Sequence, residues 1–339
     1  MYYIGFDIGG TKIEAMLICV GQKSENKNDV LSFEVLKEND EIILSSVLDR
    51  KRVPTERHLG YSQIIEKMSS LAKELCQKNQ IEETKIQGVG LSVPGPVDPM
   101  SGVVLRSNTM VISGHNMNKD LQQKLKWDCP FRSENDANCF ALAEVFCGAG
   151  LSYFKETKIP VKKQIGVGLI LGSGFGGGIV VHGKVVSGKC GGGGELGHMT
   201  LYPNGHPCYC GRQGCAEQYL CGPALEALMN TRIYAQIHQR PTSKDIFEYY
   251  EKKDPIALAV VNQYRKDLSF FLGTITCALD PHYFVMGGGL SLQKVLYENL
   301  EKNIGKNTYL PNESVKVYQH CIGDSAGAIG ALIPFLNRS

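Results

Sequence analysis

The chain has 339 residues, 43% of them apolar and 21% charged, with a net charge of +2. That composition is ordinary for a globular protein, and at ~100–200 residues per domain the length predicts two domains. The small net charge gives no basic footprint for nucleic acid or an anionic membrane. No apolar run of about 18 residues is evident, which predicts no membrane-spanning helix. The opening MYYIGFDIGG lacks the charged start and long apolar stretch of a signal peptide. The expected location is therefore cytoplasmic, with thiols kept reduced.

In chain order, Tyr2–Asp7 reads as a buried strand, Gly9-Gly10-Thr11 as a tight turn and Ile13–Val20 as the returning strand. Strand–turn–strand is a hairpin, not the strand–turn–helix of a Rossmann unit. Gly21–Glu41 is polar and reads as a flexible loop or excursion within the hairpin series. Ser62–Lys78 carries Ile64, Ile65, Met68, Leu71, Ala72 and Leu75 at helical spacing. Gln87–Val93 is a strand stopped by Pro94-Gly95-Pro96, and Asp136–Phe146 a helix opened by Asn135-Asp136. Ile165–Leu171 is an apolar strand leading into a glycine run, followed by a strand at Ile179–His182 and a turn at Gly183-Lys184. Pro223–Met229 and Asp254–Asp280 are helical in pattern, and Tyr283–Met286 is a strand ending in Gly287-Gly288-Gly289. Gly323–Phe335 closes the chain as a glycine- and alanine-rich helix.

Alternating strands and helices give an α/β class. The halves begin alike, each with a hairpin around a glycine turn, near residue 10 and over residues 172–178. The expected organisation is a duplicated α/β fold. Residues 1–134 with 321–339 form a small lobe, and residues 135–320 form a large lobe.

Four motifs carry chemistry. In Asp7-Ile8-Gly9-Gly10-Thr11-Lys12, glycines let backbone N–H groups approach an anion, and Asp7 can hold the metal that accompanies a nucleotide. An ordinary hairpin turn is the competing reading. Gly172-Ser173-Gly174-Phe175-Gly176-Gly177-Gly178 has five glycines in seven residues, more than one turn needs. No Gly-Lys-Ser/Thr follows, so it is no Walker loop but suits a second phosphate-cradling hairpin. Gly287-Gly288-Gly289 is a third glycine turn, placed to cover base and ribose. Asn135-Asp136-Ala137-Asn138 offers a helix cap and, equally, a candidate general base in Asp136 with Asn135 as a hydroxyl binder.

The fourth motif is Glu195-Leu196-Gly197-His198 followed by Cys208, Cys210, Cys215 and Glu217. Three of the chain's twelve cysteines fall here within eight residues. Cys19, Cys76, Cys129, Cys147 and Cys277 sit singly and read as small buried hydrophobes. Cys-x-Cys-x4-Cys with His198 ten residues upstream supplies the ligands of a tetrahedral structural zinc. His206 and Cys190 are competing ligands. Four protein ligands leave no open position, so the metal staples a loop and points Glu195 and Glu217.

Together these residues resemble the ROK family, which groups sugar kinases, sugar-responsive repressors and related open reading frames. The resemblance runs over essentially the whole chain and is most specific at Asp7–Lys12, Asn135–Asn138, Leu171–Gly178 and Glu195–Glu217. It implies an actin-like, ribonuclease H-like duplicated fold with two lobes. It implies ATP with magnesium, and phosphoryl transfer to a sugar 6-hydroxyl with Asp136 as base. Sugar contacts are implied for Asn108, Asn135, Asp136, Glu195, His198 and Glu217, and zinc on His198, Cys208, Cys210 and Cys215. ATP is implied along Gly5, Phe6, Asp7, Ile8, Gly9, Gly10, Thr11 and Lys12, along Gly172, Ser173, Gly174, Phe175, Gly176, Gly177, Gly178 and Ile179, and at Gly288. Within the family, Asn135–Glu144 and the opening residues look most like bacterial N-acetylglucosamine kinases. Glucose and N-acetylmannosamine are the alternative substrates. The four-glycine loop Gly191–Gly194 is where room for an acetamido group is expected. The expected partners are a small-molecule sugar and ATP, not nucleic acid or a membrane, and the expected assembly is a homodimer. A sugar-sensing repressor would carry a helix-turn-helix ahead of the Asp7 strand, where the sequence leaves no room. A zinc-stapled binding protein without catalysis would not need Asp136 and two glycine hairpins.

Overall fold

The computed structural model describes residues 1–21, 32–232, 240–310 and 315–337. Two compact units emerge. The first comprises Met1–Gln164, Ile179–Gly194 and Cys321–Ser339, and the second Ile165–Gly178 and Glu195–His320.

The first unit is built on strands β1 (Tyr2–Ile8), β2 (Lys12–Val20), β3 (Ser32–Leu36), β4 (Ile42–Pro54), β5 (Ile86–Val93) and β6 (Phe131–Asn135). Their order is β3-β4-β2-β1-β5-β6. The β1–β2 hairpin is antiparallel, with Asp7 opposite Glu14, whereas β5 and β6 run parallel to β1. Alternation decides the faces. Ile4, Phe6, Ile8, Ile13, Ala15 and Leu17 enter a core with Ile64, Met68 and Leu71 of the helix Tyr61–Lys78 and Leu121 of the helix Met117–Leu125. The opposite face meets the C-terminal segment closely. A Cβ on Gly5 would lie 2.4 Å from the Ala328 carbonyl oxygen, and one on Gly330 only 1.8 Å from that of Cys139. Only glycine fits either position.

The second unit begins with β7 (Ile165–Leu171) and the start of β8 (Phe175–Val181). β8 ends in the first unit, where it pairs antiparallel with β9 (Lys184–Val185). β10 (Tyr283–Gly287) runs parallel to β7 and to β11 (Lys316–Gln319), giving the strand order β11-β10-β7-β8-β9. The helix Pro255–Leu279 starts on Asp254, whose side chain accepts from Ala257 N at 2.8 Å, and stops at Asp280 with φ 46°. Both ends are standard helix signals, a side-chain cap and a left-handed stop.

Several elements depart from the sequence expectations. Of the polar stretch Gly21–Glu41, residues 22–31 lie outside the described residues. Ser32–Leu36 is not loop but an edge strand, because Phe33, Val35 and Leu36 bury against the sheet. The strand expected at Ile179–His182 starts earlier, within the glycine run, at Phe175. The turn is confined to Gly172–Gly174, and Gly176–Gly178 lie inside β8. A Cβ on Gly177 would meet the Gly168 carbonyl at 2.7 Å, so glycine here serves strand packing. The closing helix is broken into a 3-10 turn at Gly323–Ser325 and helices Ala326–Gly330 and Ile333–Leu336, the last with Pro334 in its first turn. Proline lacks the N–H that a continuous helix would require. Finally, Asp136–Thr157 is long and apolar enough to cross a membrane by composition, yet 78% of that window is buried inside the fold. It is core rather than membrane span, split at Gly148 into helices Asp136–Cys147 and Ala149–Thr157.

Candidate functional site

In the first unit the β1–β2 turn is closed by Gly9 N donating to Lys12 O at 2.9 Å. Thr55, at the end of β4, holds the turn from outside. Its hydroxyl donates to Gly9 O at 2.7 Å and its N–H to Thr11 O at 2.9 Å. These contacts use carbonyls and leave Gly10 and Thr11 N–H groups available to an anion. The loop carrying Asn108 comes to the same turn, since Thr109 Oγ1 lies 3.4 Å from where a Gly10 Cβ would be. Asn108 is exposed, and its side-chain oxygen accepts from Thr109 Oγ1 at 3.4 Å. Asp7 is half-buried and accepts from Ser92 Oγ at 2.7 Å. Loss of hydration pushes its pKa up, Ser92 opposes this, and the neighbouring Glu14 charge adds to it.

Asn135 and Asp136 satisfy both readings of their motif. Asn135 caps the helix, its Oδ1 accepting from Ala137 N at 3.0 Å and Asn138 N at 3.1 Å. Its amide N–H2 is not used by the cap and can donate to a hydroxyl. Asp136, at the first helical position, accepts from Ala137 N at 2.9 Å. A carboxylate at a helix N-terminus is favoured by the helix dipole. Glu134 supports the pair by accepting from Asn135 N and from Asn138 Nδ2, both at 2.9 Å.

The Gly191–Gly194 loop belongs to this unit. Gly191 (φ 73°) has the Val97 carbonyl 2.1 Å from its virtual Cβ, and Gly193 has that of Val186 at 2.1 Å. Gly192 alone of these opens onto empty space, with nothing within 4 Å.

In the second unit the turn after β7 is closed by Gly172 N donating to Gly174 O at 3.0 Å. Gly288 (φ 81°) packs against this turn's base, with the Leu171 carbonyl 2.4 Å from its virtual Cβ. The structure therefore brings the 172–174 and 287–289 turns together. Glu217 reaches the same place, its Oε1 accepting from Phe175 N at 3.4 Å. Its Oε2 is buried without a partner among the described residues. An ionised carboxylate has about four acceptor positions, so an empty buried oxygen is an offer to a ligand donor.

Glu195 leads into the short turn Leu196–His198, whose Gly197 lies against the Phe175 backbone. Glu195 is exposed as a residue, but its carboxyl is shielded enough to push its pKa up. His198 opposes that shift and Glu217 adds to it. His198, Cys208, Cys210 and Cys215 offer ligand atoms that all lie within 4.8 Å of one another. Cys208 Sγ is 3.7 Å from His198 Nδ1, and Cys210 Sγ is 3.6 Å from Cys215 Sγ. A tetrahedron with metal–sulfur bonds of about 2.3 Å has edges of roughly 3.7 Å, and these two distances match such edges. The same distance is far beyond a disulfide bond. A bend from Cys208 to Gly211 (φ 92°) and the bridge Thr200↔Cys215 bring the ligands together. Tyr209 Oη lies 3.2 Å from His198 Nε2, the ring nitrogen that is not next to Cys208 Sγ.

Sequence reasoning missed Thr55, Ser92, Glu134 and Tyr209, and named Asn138 within its motif without giving it a role. Thr55 is revealed only by its contacts with the β1–β2 turn, Ser92 by strand register, Glu134 by its bonds to Asn135 and Asn138, and Tyr209 by the fold of the cysteine loop. Asn138 alone had a local signal, its place one turn into the helix that Asn135 caps.

The ROK family profile matches residues 3–337. The chain belongs to the ROK family. Among curated relatives, the N-acetyl-D-glucosamine kinase of Histophilus somni is 33% identical over 350 aligned residues, covering 100% of both chains. Among solved structures, the ROK hexokinase of Thermus thermophilus is 28% identical with a TM-score of 0.76, covering 98% of this chain and 97% of that one. A ROK family glucokinase from Streptomyces griseus, solved with glucose and AMPPNP, is 25% identical with a TM-score of 0.69, covering 98% of each chain. The two-sheet α/β architecture of this ROK protein is that of the actin-like sugar kinase fold.

Proposed function

We propose that this ROK protein is an ATP-dependent sugar kinase that transfers the γ-phosphoryl group of ATP to the 6-hydroxyl of N-acetyl-D-glucosamine. The observation that carries the reading is its end-to-end likeness to N-acetyl-D-glucosamine kinases, 33% identical over the full length in the Histophilus somni protein. The site chemistry is consistent with it. Glu217 Oε2, buried and without a partner among the described residues, suits a sugar hydroxyl donor. Asn135 donates an amide N–H, Glu195 and His198 add contacts beside Glu217, and Asn108 contributes from the loop next to the Gly10 turn. Asp136 accepts the 6-hydroxyl proton as that oxygen attacks the phosphorus. Backbone N–H groups of the Gly9–Thr11 and Gly172–Gly174 turns bind phosphate oxygens, and the turn at Gly288 accompanies the nucleotide. Phosphoryl transfer depends chiefly on positioning and charge stabilisation, with the base one contributor among several.

Two metals fit the residues present. Asp7, beside a buried carboxylate oxygen of Glu14 that has no partner among the described residues, suits magnesium, which when bound neutralises charge on the transferred phosphates. His198, Cys208, Cys210 and Cys215 suit a structural zinc, which leaves no open position for substrate. When bound, it would fix Glu195 and Glu217 at the two ends of the segment it closes.

Glucose is the second reading, supported by the Streptomyces griseus glucokinase at 25% identity. An assay coupling ADP release to sugar consumption tests the proposal. Formation of N-acetylglucosamine 6-phosphate supports it, and absence of sugar-stimulated ADP release overturns it.

A further inference from the structure

Strand register in the first unit assembles a polar row that local sequence does not reveal. Asp7 on β1 stands opposite Glu14 on β2, and Glu14 stands opposite Arg52 on β4. On the other side Asp7 pairs with Ser92 on β5, and Ser92 with Glu134 on β6. Registered partners on adjacent strands project to the same face, so five neighbouring strands place Arg52, Glu14, Asp7, Ser92 and Glu134 side by side.

Two carboxylates directly opposite one another oppose sheet formation. Arg52 offsets part of that cost, its Nε donating to Glu14 Oε1 at 2.8 Å. The guanidinium is shared, however, with Asp324 at 3.5 Å. Glu14 is 1% exposed, and its second oxygen, Oε2, has no partner among the described residues. A buried carboxylate oxygen left unmet is costly. A plain Glu14–Arg52 ion pair accounts for Oε1 and leaves Oε2 unexplained. What would meet it is a donor arriving at Asp7. Magnesium loses its water reluctantly and is bound through one or two carboxylates, with several waters retained.

We propose that Glu14 is a positioning residue for the divalent cation that accompanies ATP, its Oε2 accepting a hydrogen bond from cation-bound water beside Asp7. The inference rests on the kinase reading and deepens it by giving Glu14 a role of its own at that site. Outer residues of this kind commonly change metal affinity by about 10–100-fold without touching the metal.

The test is Mn2+ titration of the full chain by electron paramagnetic resonance, with and without the non-hydrolysable analogue AMPPNP. Glu14→Gln keeps the acceptor for Arg52 and removes the charge, and Glu14→Ala removes both. In either variant the Mn2+ Kd in the presence of AMPPNP is expected to rise at least about tenfold. Glu14→Asp is expected to hold it near the wild-type value. Metal-free AMPPNP binding, sugar binding and the Tm of Glu14→Gln should stay close to wild type, which separates positioning from a loss of fold. A Mn2+ Kd within about twofold of wild type in either folded Glu14→Gln or Glu14→Ala overturns the proposal. Should both unfold, a Glu14→Asp protein that binds Mn2+ no better than Asp7→Asn overturns it as well. Wild-type protein that binds no Mn2+ with AMPPNP at all refutes the kinase reading itself.

Discussion

Asp136 opens a helix and bears the carboxylate assigned to proton transfer, and substitution separates the two roles. Asp136→Asn keeps an oxygen that can accept from Ala137 N. Fold and sugar binding should persist while kcat falls at least about 100-fold, given the usual contribution of a positioned base. A variant with more than about a tenth of wild-type kcat rules out the base role. Glu195 gives a pH prediction. Shielding from water raises its pKa, against the favourable His198 and with the Glu217 charge. A raised pKa means that the proton is taken up at higher pH than by an ordinary carboxyl, and the protonated form loses acceptor capacity. Sugar affinity should therefore weaken as pH falls, starting above the usual glutamate range, and Glu195→Gln should flatten that limb. Calorimetric Kd values across pH check it, and a wild-type profile flat down to the ordinary glutamate range contradicts it. At this scale the residues proposed for the site were legible because Asn, Asp, Glu, His and Cys stand out in short motifs. Thr55, Ser92 and Glu14 were not, since they act across strands far apart in sequence.

At the scale of elements, the cysteine loop is the clearest case of local sequence dictating local structure. Three cysteines within eight residues, with glycines at 211 and 214 adopting φ 92° and 71°, converge with His198 on one point. Freshly purified protein should contain one zinc per chain by elemental analysis. Cys210→Ser should release it, raise sugar KM and lower kcat, because Glu195 and Glu217 lose their common anchor. Full activity in metal-free Cys210→Ser contradicts that role. The glycine-rich stretches were less legible. A run of glycines signals turns, strand crowding and close backbone approach alike, and only tertiary packing distinguishes them. Gly177 is crowded strand, whereas Gly172 and Gly174 make the turn. The same applies to Gly191–Gly194. Gly193 is packed against the Val186 carbonyl and any side chain there disrupts the loop itself, so Gly192, which faces open space, is the position at which to probe the acetamido group. Gly192→Val should lower kcat/KM for N-acetylglucosamine by about tenfold or more while sparing glucose, since loss of a specific fit penalises one substrate selectively. An equal fall for both sugars removes this loop from specificity.

For the whole molecule, the duplicated beginning of the halves was visible in the sequence and reappears as two hairpins, β1–β2 and β7–β8, each flanked by a parallel strand. The edge strand Ser32–Leu36 was not visible, because a short edge strand depends on distant neighbours, whereas the broken C-terminal segment had a local signal in Pro334. The family follows from a match over residues 3–337, whereas the substrate is a finer property that sequence likeness alone constrains less. Catalysis on a particular sugar is decided by steady-state kcat/KM with ATP for N-acetylglucosamine, glucose and N-acetylmannosamine. Sugar-dependent ADP formation is expected, with N-acetylglucosamine clearly preferred. A preference for glucose or N-acetylmannosamine, or ATP turnover indifferent to all three, would contradict it.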